Sequence, residues 1–421
     1  MKRFITLAAV LAAICCSCTP KPQTIDFGEG TLTLTAIQDD AVRVQYSEGE
    51  VREMPEMVYE KTRPIKMKKA TEGSVAVFST AKMTITVDAA EGIVTVADAS
   101  GKEVFKATGH ELKDAQVQGE ATREATLTIA SPEDEYLYGL GQFQDGFLNV
   151  KGLTRRLTQV NTQISVPFLM SSKGYGILWN NYGLTDFNPA DNRIDMEREE
   201  SVGAERRVNV TSTEGGRWEI RRNNNFKATL EVPEDGQYAI LLDVGQKMAR
   251  RHNLSIDGQT VINLVNSWLP PTTTAIVSLT AGSHALRAEL ERGDQPSIYY
   301  KKIDDNSTFR SPVAECVDYT VFTGSADNVI ASYREATGEV PMLPSWALGY
   351  IHCRERFKSQ EELLATAQRF REEQIPIDLI VQDWQYWGKY GWNAMKFDEE
   401  FYPDPTQMVS DLHEMDMKLM L

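Results

Sequence analysis

Cysteine and histidine are both scarce in this chain of 421 residues. Three of its five cysteines stand together in Cys15-Cys-Ser-Cys18, which leaves only Cys316 and Cys353 elsewhere. No disulfide framework is implied, and the two remaining thiols read as small buried hydrophobes. The five histidines, His110, His252, His284, His352 and His413, show no ligand spacing, and no glycine-rich phosphate loop follows a strand. Metal, nucleotide and redox cofactors are therefore not expected. Positive charge is also short. Against 60 Asp and Glu stand 44 Lys and Arg, and the formal charge of −16 argues against nucleic acid or an anionic membrane surface as partner. The apolar run from Phe4 to Ile14 is too short to span a bilayer.

That run does have a reading of its own. Lys2 and Arg3 precede it, and Cys15-Cys-Ser-Cys18 followed by Thr-Pro-Lys-Pro closes it as a processing site. The segment resembles a bacterial lipoprotein signal over residues 1–18, with Cys18, after the small Ser17, as the lipidated residue. Cys15 and Cys16 are alternative sites, and a plain secretory signal is the alternative to lipidation. Thr19 to Gln23 carries no acidic cluster, so the expected location is the periplasm or outer membrane, with the lipid anchor as the only membrane contact.

About 400 residues of ordinary globular composition suggest two to three domains. Thr31–Thr35, Val42–Tyr46, Val75–Phe78, Met83–Val87, Ile93–Val96 and Ala125–Ile129 alternate apolar and polar residues, as strands with one wet face do. They predict a β-sandwich over 24–213. Tyr138-Gly-Leu-Gly141 and Ser172–Gly183 are rich in glycine and amides. Such loops bind something polar, cap another domain, or form a turn-rich sandwich corner. A second β unit interrupts the first over 214–302, with Tyr238–Leu242, a hairpin turn at Asp257-Gly258, Ala275–Leu279 and Ala285–Leu290. Its Leu254-Ser-Ile-Asp-Gly258 and Ala281-Gly-Ser-His284 are similar to the protective-antigen domain, a carbohydrate-binding sandwich. Residues 303–340 return to the first sandwich through Glu315–Phe322 and a helix from Ser325 through Val329, Ile330 and Tyr333.

From residue 341 the pattern changes to strand–helix alternation, the signature of a parallel sheet covered by helices. Ala347–Ile351 reads as a strand, Ser359-Gln-Glu-Glu362 as a capping box opening a helix, and Ile377–Val381 as a second strand. Asp404-Pro405 opens a second helix and Met417–Leu421 a third strand. This is about two and a half of the roughly eight units of a (β/α)₈ barrel, so 341–421 is expected to be the start of such a barrel in a larger protein. The fold class predicted is multidomain, β followed by α/β: an N-terminal sandwich with an inserted sandwich, then the first two to three barrel units.

Chemistry concentrates in Val381–Trp392. Asp383 falls where the second strand gives way to its loop, the place where barrels keep functional groups. Trp384, Trp387 and Trp392 lie within the next nine residues, with Tyr386 and Tyr390 between them. A carboxylate can accept hydrogen bonds from vicinal hydroxyls while indole packs on the C–H face of a sugar ring. The alternative is that the tryptophans anchor the loop in the core and Asp383 caps a helix.

Pro344–Gly349, Arg354-Glu-Arg-Phe357, Ile375–Asp378, Asp383, Phe401–Pro405, Leu412-His413 and Lys418 together resemble glycoside hydrolase family 31, the α-glucosidases and α-xylosidases. Tyr138–Gly141 and Lys173–Gly176 are similar to that family's N-terminal, galactose-mutarotase-like sandwich. The resemblance implies retaining hydrolysis of O-glycosyl bonds by two aspartates on the fourth and sixth barrel strands, neither of which is assigned to any residue here, so the chain by itself is expected to be inactive. It implies an oligosaccharide substrate and a sugar-binding role for Asp383. The Gln382-Asp-Trp-Gln-Tyr-Trp387 run looks like the α-xylosidase branch, acting on xyloglucan-type oligosaccharides, with Trp384 filling the space of a glucose hydroxymethyl. His352 and Arg354, after the first strand, are expected to line the same pocket with Trp387. An α-glucosidase or α-galactosidase of the same family, and a non-catalytic carbohydrate-binding lipoprotein, are the alternatives.

Overall fold

The computed structural model describes residues 21–421 apart from 53–54, 60–64, 213–214, 292 and 355. The expected signal segment with Cys18, and Glu355 after the first barrel strand, lie outside the described residues. The rest divides into two compact units, one made of the chain up to Val208 with Ile220–Glu339, the other of Asn209–Glu219 with Val340–Leu421.

In the first unit the sandwich is built from two antiparallel sheets. The seven-stranded sheet runs Gln23–Phe27, Gly30–Gln38, Ala41–Ser47, Val317–Thr323, Tyr175–Trp179, Ile164–Ser171 and Leu137–Gln142 in spatial order. The nine-stranded sheet contains the long pair Glu103–Val117 and Glu120–Ala130 and the meander Lys68–Glu72, Val75–Ser79, Thr84–Asp88 and Ile93–Ala97. Alternate residues from both, such as Leu32, Leu34, Val42, Val44, Ile85, Val87, Leu127 and Ile129, meet in one core. Burial of apolar area at roughly 25 cal/mol per Å² is what holds the two sheets face to face. The strand at Glu103–Val117 escapes the alternation pattern because its second half is half-exposed or exposed, so no apolar period marks it.

Tyr138-Gly-Leu-Gly141 proves to be a bulged strand. Pairing with Ile164–Ser171 shifts register between Gly139 and Gly141. Both glycines have φ above +100°, and a Cβ on either would collide with the carbonyl of Phe168 or Ile164 on the neighbouring strand. Of the readings left open for this stretch, the sandwich-corner one accounts for its glycines.

The inserted module has its own core, from Met196 to Ile298, between a four-stranded and a five-stranded sheet. It begins earlier than the expected residue 214. Asn192–Asp195 pairs with Ser297–Lys302, and Glu197–Ser212 belongs to the five-stranded sheet. Residues 192–212 carry too many charges to read as part of a packed module. The Asp257-Gly258 turn is as expected, with φ of +50° and +81°, the conformation that lets a two-residue loop match strand twist.

In the second unit Ile351–Cys353, Leu379–Val381 and Lys418–Met420 form a parallel three-stranded sheet, with helices Gln360–Glu372 and Pro405–Glu414 between them in sequence. The first strand starts later than expected. Ser345–Leu348 is a 3₁₀ turn, and Gly349 lies against the Asp378 carboxylate, whose Oδ2 accepts from the Tyr350 N–H at 3.2 Å, so the ladder opens only beyond Tyr350. Ser359 Oγ accepts from the Glu362 N–H, and Glu362 accepts in turn from the Lys358 N–H at 2.8 Å, closing the expected capping box one residue early. Leu363 and Ala367 on one helix and Met408 and Leu412 on the other pack with Phe357, Ile377, Ile380, Tyr402 and Met417.

Candidate functional site

Parallel pairing sets Ile351 beside Leu379, His352 beside Ile380 and Cys353 beside Val381, and continues to Lys418, Leu419 and Met420. Side chains in register share a face. Ile380 and Leu419 pack into the helix layer, so Cys353, Val381 and Met420 look to the opposite side, where Ile351 and Met420 are exposed. Asp383, two residues past Val381, keeps that parity. Partial burial and, after it, the Asp383 carboxylate push the Cys353 thiol upward.

Asp383 is half-buried. Its Oδ1 accepts from the Trp384 N–H at 2.9 Å, and Oδ2 has no protein donor among the described residues. The carboxylate is therefore held by its own loop and keeps one oxygen for an incoming hydroxyl. Behind it, Gln382 is completely buried and donates to the main-chain oxygens of Phe357, at 3.1 Å, and Asp383, at 2.9 Å. Tyr402 Oη donates to the same Phe357 oxygen at 2.6 Å. This brace ties the loop after the first strand to the loop after the second. Sequence reasoning passed over Gln382, although a glutamine ending an otherwise apolar strand was the signal available.

The aromatics of the loop form a chain. Trp392 stands edge-on to Trp384, with ring centroids 5.4 Å apart, and to Trp387, at 5.6 Å. Trp387 in turn meets Tyr386 at 5.2 Å. Trp387 is 9% exposed and belongs to the core, whereas Trp392 is 76% exposed. Core anchoring thus describes Trp387, and an open platform describes Trp392. Arg356, Lys358, Gln385, Trp387, Trp392 and Phe401 line a cleft of about 520 Å³ beside them. The loop is pinned by Lys389, which pairs with Glu399 at 2.9 Å and Asp398 at 3.4 Å, and by Lys396 on Glu399 at 3.0 Å. Hydrogen bonds from Tyr390, together with these lysines, hold the Glu399 carboxyl far below the usual range.

Two expected site residues point elsewhere. The ring of His352 packs 4.9 Å from Phe370 of the first helix and its Nδ1 lies 3.1 Å from Tyr350 Oη, on the helix side of the sheet. Arg354 pairs with Glu362 at 3.0 Å and lies over Phe357, again toward the helix. Both have the parity of Ile380, and a one-residue change of register reverses the face. Trp384 has Arg356 over its ring at 5.6 Å. Among the described residues no cluster of His, Cys, Asp and Glu has the arrangement of a metal site.

Residues 31–188 match the profile of the glycosyl hydrolase 31 N-terminal galactose mutarotase-like domain, and residues 340–421 that of the glycosyl hydrolases family 31 TIM-barrel domain. The chain is 29% identical to an α-xylosidase of Saccharolobus solfataricus over 404 residues, 93% of this chain and 40% of that one. It is 32% identical to α-xylosidase A of Aspergillus niger over 287 residues, 68% of this chain and 23% of that one. The fold matches the crystal structure of a family 31 α-xylosidase from Xanthomonas citri with a TM-score of 0.77 at 24% identity, covering 94% of this chain and 48% of the other. The chain therefore spans less than half the length of these relatives. With both of the family's domains in their expected order along it, the chain belongs to glycoside hydrolase family 31.

Proposed function

We propose that this chain supplies the sugar-gripping part of a retaining α-xylosidase that releases non-reducing-end α-xylosyl residues from xyloglucan-type oligosaccharides. The observation that carries this is Asp383: a carboxylate at the C-terminal end of the second barrel strand, fixed through one oxygen, open at the other, and adjoined by an aromatic loop. The open oxygen accepts from a sugar hydroxyl, and the indoles offer apolar faces for the ring's C–H bonds. A bulky Trp384 rejects the hydroxymethyl group by a clash, which costs the wrong sugar more than a lost contact would. The α-xylosidases among the relatives support the finer assignment. An α-glucosidase is the second reading, supported by 35% identity over 99 residues to α-glucosidase 2 of Bacillus thermoamyloliquefaciens. Retention needs two carboxyl groups about 5–5.5 Å apart across the glycosidic bond, and no residue of this chain is assigned to that pair.

The test is hydrolysis of nitrophenyl α-xyloside and α-glucoside by the protein from the complete reading frame, alongside the 421-residue chain. Faster cleavage of the xyloside by the former, with the latter inert, is expected. In the active protein Trp384→Ala should raise the glucoside-to-xyloside ratio about tenfold, the size of a methylene-scale discrimination; an unchanged ratio removes the xylosidase assignment. Lipidation at Cys18 belongs to the same proposal. Cys18→Ser should move the protein from the membrane fraction to the soluble one.

A further inference from the structure

The face of the seven-stranded sheet turned away from the sandwich core carries a row of polar side chains. Arg43 and Gln45 come from Ala41–Ser47, Asp318 from Val317–Thr323, and Asn180 directly follows Tyr175–Trp179; these three strands are neighbours. Val44, Tyr319 and Trp179, adjacent to them in sequence, point into the core. Asp318 is 5% exposed and accepts from Arg43 Nε at 2.9 Å, Gln45 Nε2 at 3.1 Å and Asn180 Nδ2 at 3.1 Å. Arg43 also donates to Glu56 at 2.8 Å, so its charge is met by two carboxylates. Above this row opens a cleft of about 510 Å³. Val51, Val313 and Tyr182 on its lining are 39%, 43% and 47% exposed, so apolar surface surrounds a polar floor.

Both amides on that floor are anchored by their N–H ends. Gln45 spends its Nε2 on Asp318, which leaves Oε1 toward the cleft, and Asn180 Oδ1 is buried without a partner among the described residues. The charges on the lining do not favour an anion, since Arg43 and Arg52 face Glu56, Glu315 and Asp318, and Arg52 lies 3.7 Å from Glu315. The Tyr182 hydroxyl is already spent on the carbonyl of Pro55 at 3.1 Å, so what the floor offers is amide carbonyl acceptors beside apolar surface, the usual anatomy of a small-ligand site. We infer that this cleft on the N-terminal sandwich is a second site for a neutral saccharide, separate from the barrel loop that carries Asp383. The need for hydroxyl donors comes from the cleft itself; the choice of a sugar as their source rests on the family reading above.

The 421-residue chain is titrated by calorimetry with xylose, glucose, a neutral xyloglucan heptasaccharide and, as the anionic control, glucuronate. Three variants accompany it: Gln45→Ala, which removes an acceptor; Val313→Trp, which fills the cleft from the rim without touching the Asp318 network; and Asp383→Ala in the barrel. In Asp383→Ala one neutral-saccharide site should remain; that site should weaken about tenfold when Gln45→Ala is added to Asp383→Ala, the worth of one hydrogen bond to a neutral partner, and disappear when Val313→Trp is added. Should Gln45→Ala fail to fold, Val313→Trp decides by itself. Binding lost in Asp383→Ala yet unchanged in the two sandwich variants overturns this site and leaves the barrel reading standing. The site is equally overturned if none of the neutral sugars binds, or if glucuronate binds more tightly than glucose.

Discussion

His284 gives its Nδ1–H to Asp257 at 2.6 Å and its Nε2–H to the carbonyl of Thr280 at 2.8 Å. An acceptor at each nitrogen favours the imidazolium over the neutral ring, and the hydrogen bond to Asp257 raises its pKa above the ordinary value. Raised in the folded state, it contributes stability that is complete below about pH 6.5 and is lost as pH rises through the folded value. His252, in the same module, is the opposite case: burial lowers it to about 4, so the module loses stability as pH falls from about 6.5 toward 4. His284→Ala should abolish the alkaline loss and His252→Leu the acid loss, each read as the pH dependence of the module's melting temperature. A parent whose melting is flat between pH 4 and 9 would refute both. At this scale the sequence was informative where chemistry alone decides and silent where parity does. Asp383 could be picked out as a carboxylate at a strand end, whereas nothing in His352-Cys-Arg354 says which of the three looks toward the helices, because the strand begins four residues later than its apolar run suggests.

Strands and helices were legible in proportion to their burial contrast. Ile85 and Val87 alternate with threonine and are fully buried, and the capped helix at Gln360–Glu372 announces itself through Ser359. Ser359→Ala should cost about 1 kcal/mol, the usual value of a lost N-cap, measured by urea unfolding followed through the barrel tryptophans; Ser359→Asp should retain most of it. The bulged strand at Leu137–Gln142 makes a sharper demand. Gly141→Ala forces a left-handed residue into the neighbouring carbonyl and should destabilise the sandwich by about 2 kcal/mol or more, while Gly28→Ala, whose Cβ would meet nothing, should cost less in the same assay. Equal effects at the two positions would mean that the backbone angle and not the contact sets the cost.

Across the whole molecule the order of domains was readable because each change of period, from 2 in the sandwiches to 3.6 in the barrel helices, follows from which faces are wet. The start of the inserted module was not, since the charge-rich residues 192–212 carry no such contrast. Its ends are informative in another way. Asn192 pairs with Tyr300 in one sheet, so the chain enters and leaves the module at nearly the same place. Replacing residues 193–301 by a short Gly-Ser linker should leave the sandwich folded, with one calorimetric transition fewer than the parent; loss of all cooperative melting would show that the module supports its host.

That shared doorway also bears on descent. A hundred residues can be gained or discarded there by a single recombination event at the surface, without lengthening any path through the host core. Genes for this architecture with and without the module should accordingly encode the same strand order on either side of the junction, and the module's history need not match that of the barrel it accompanies.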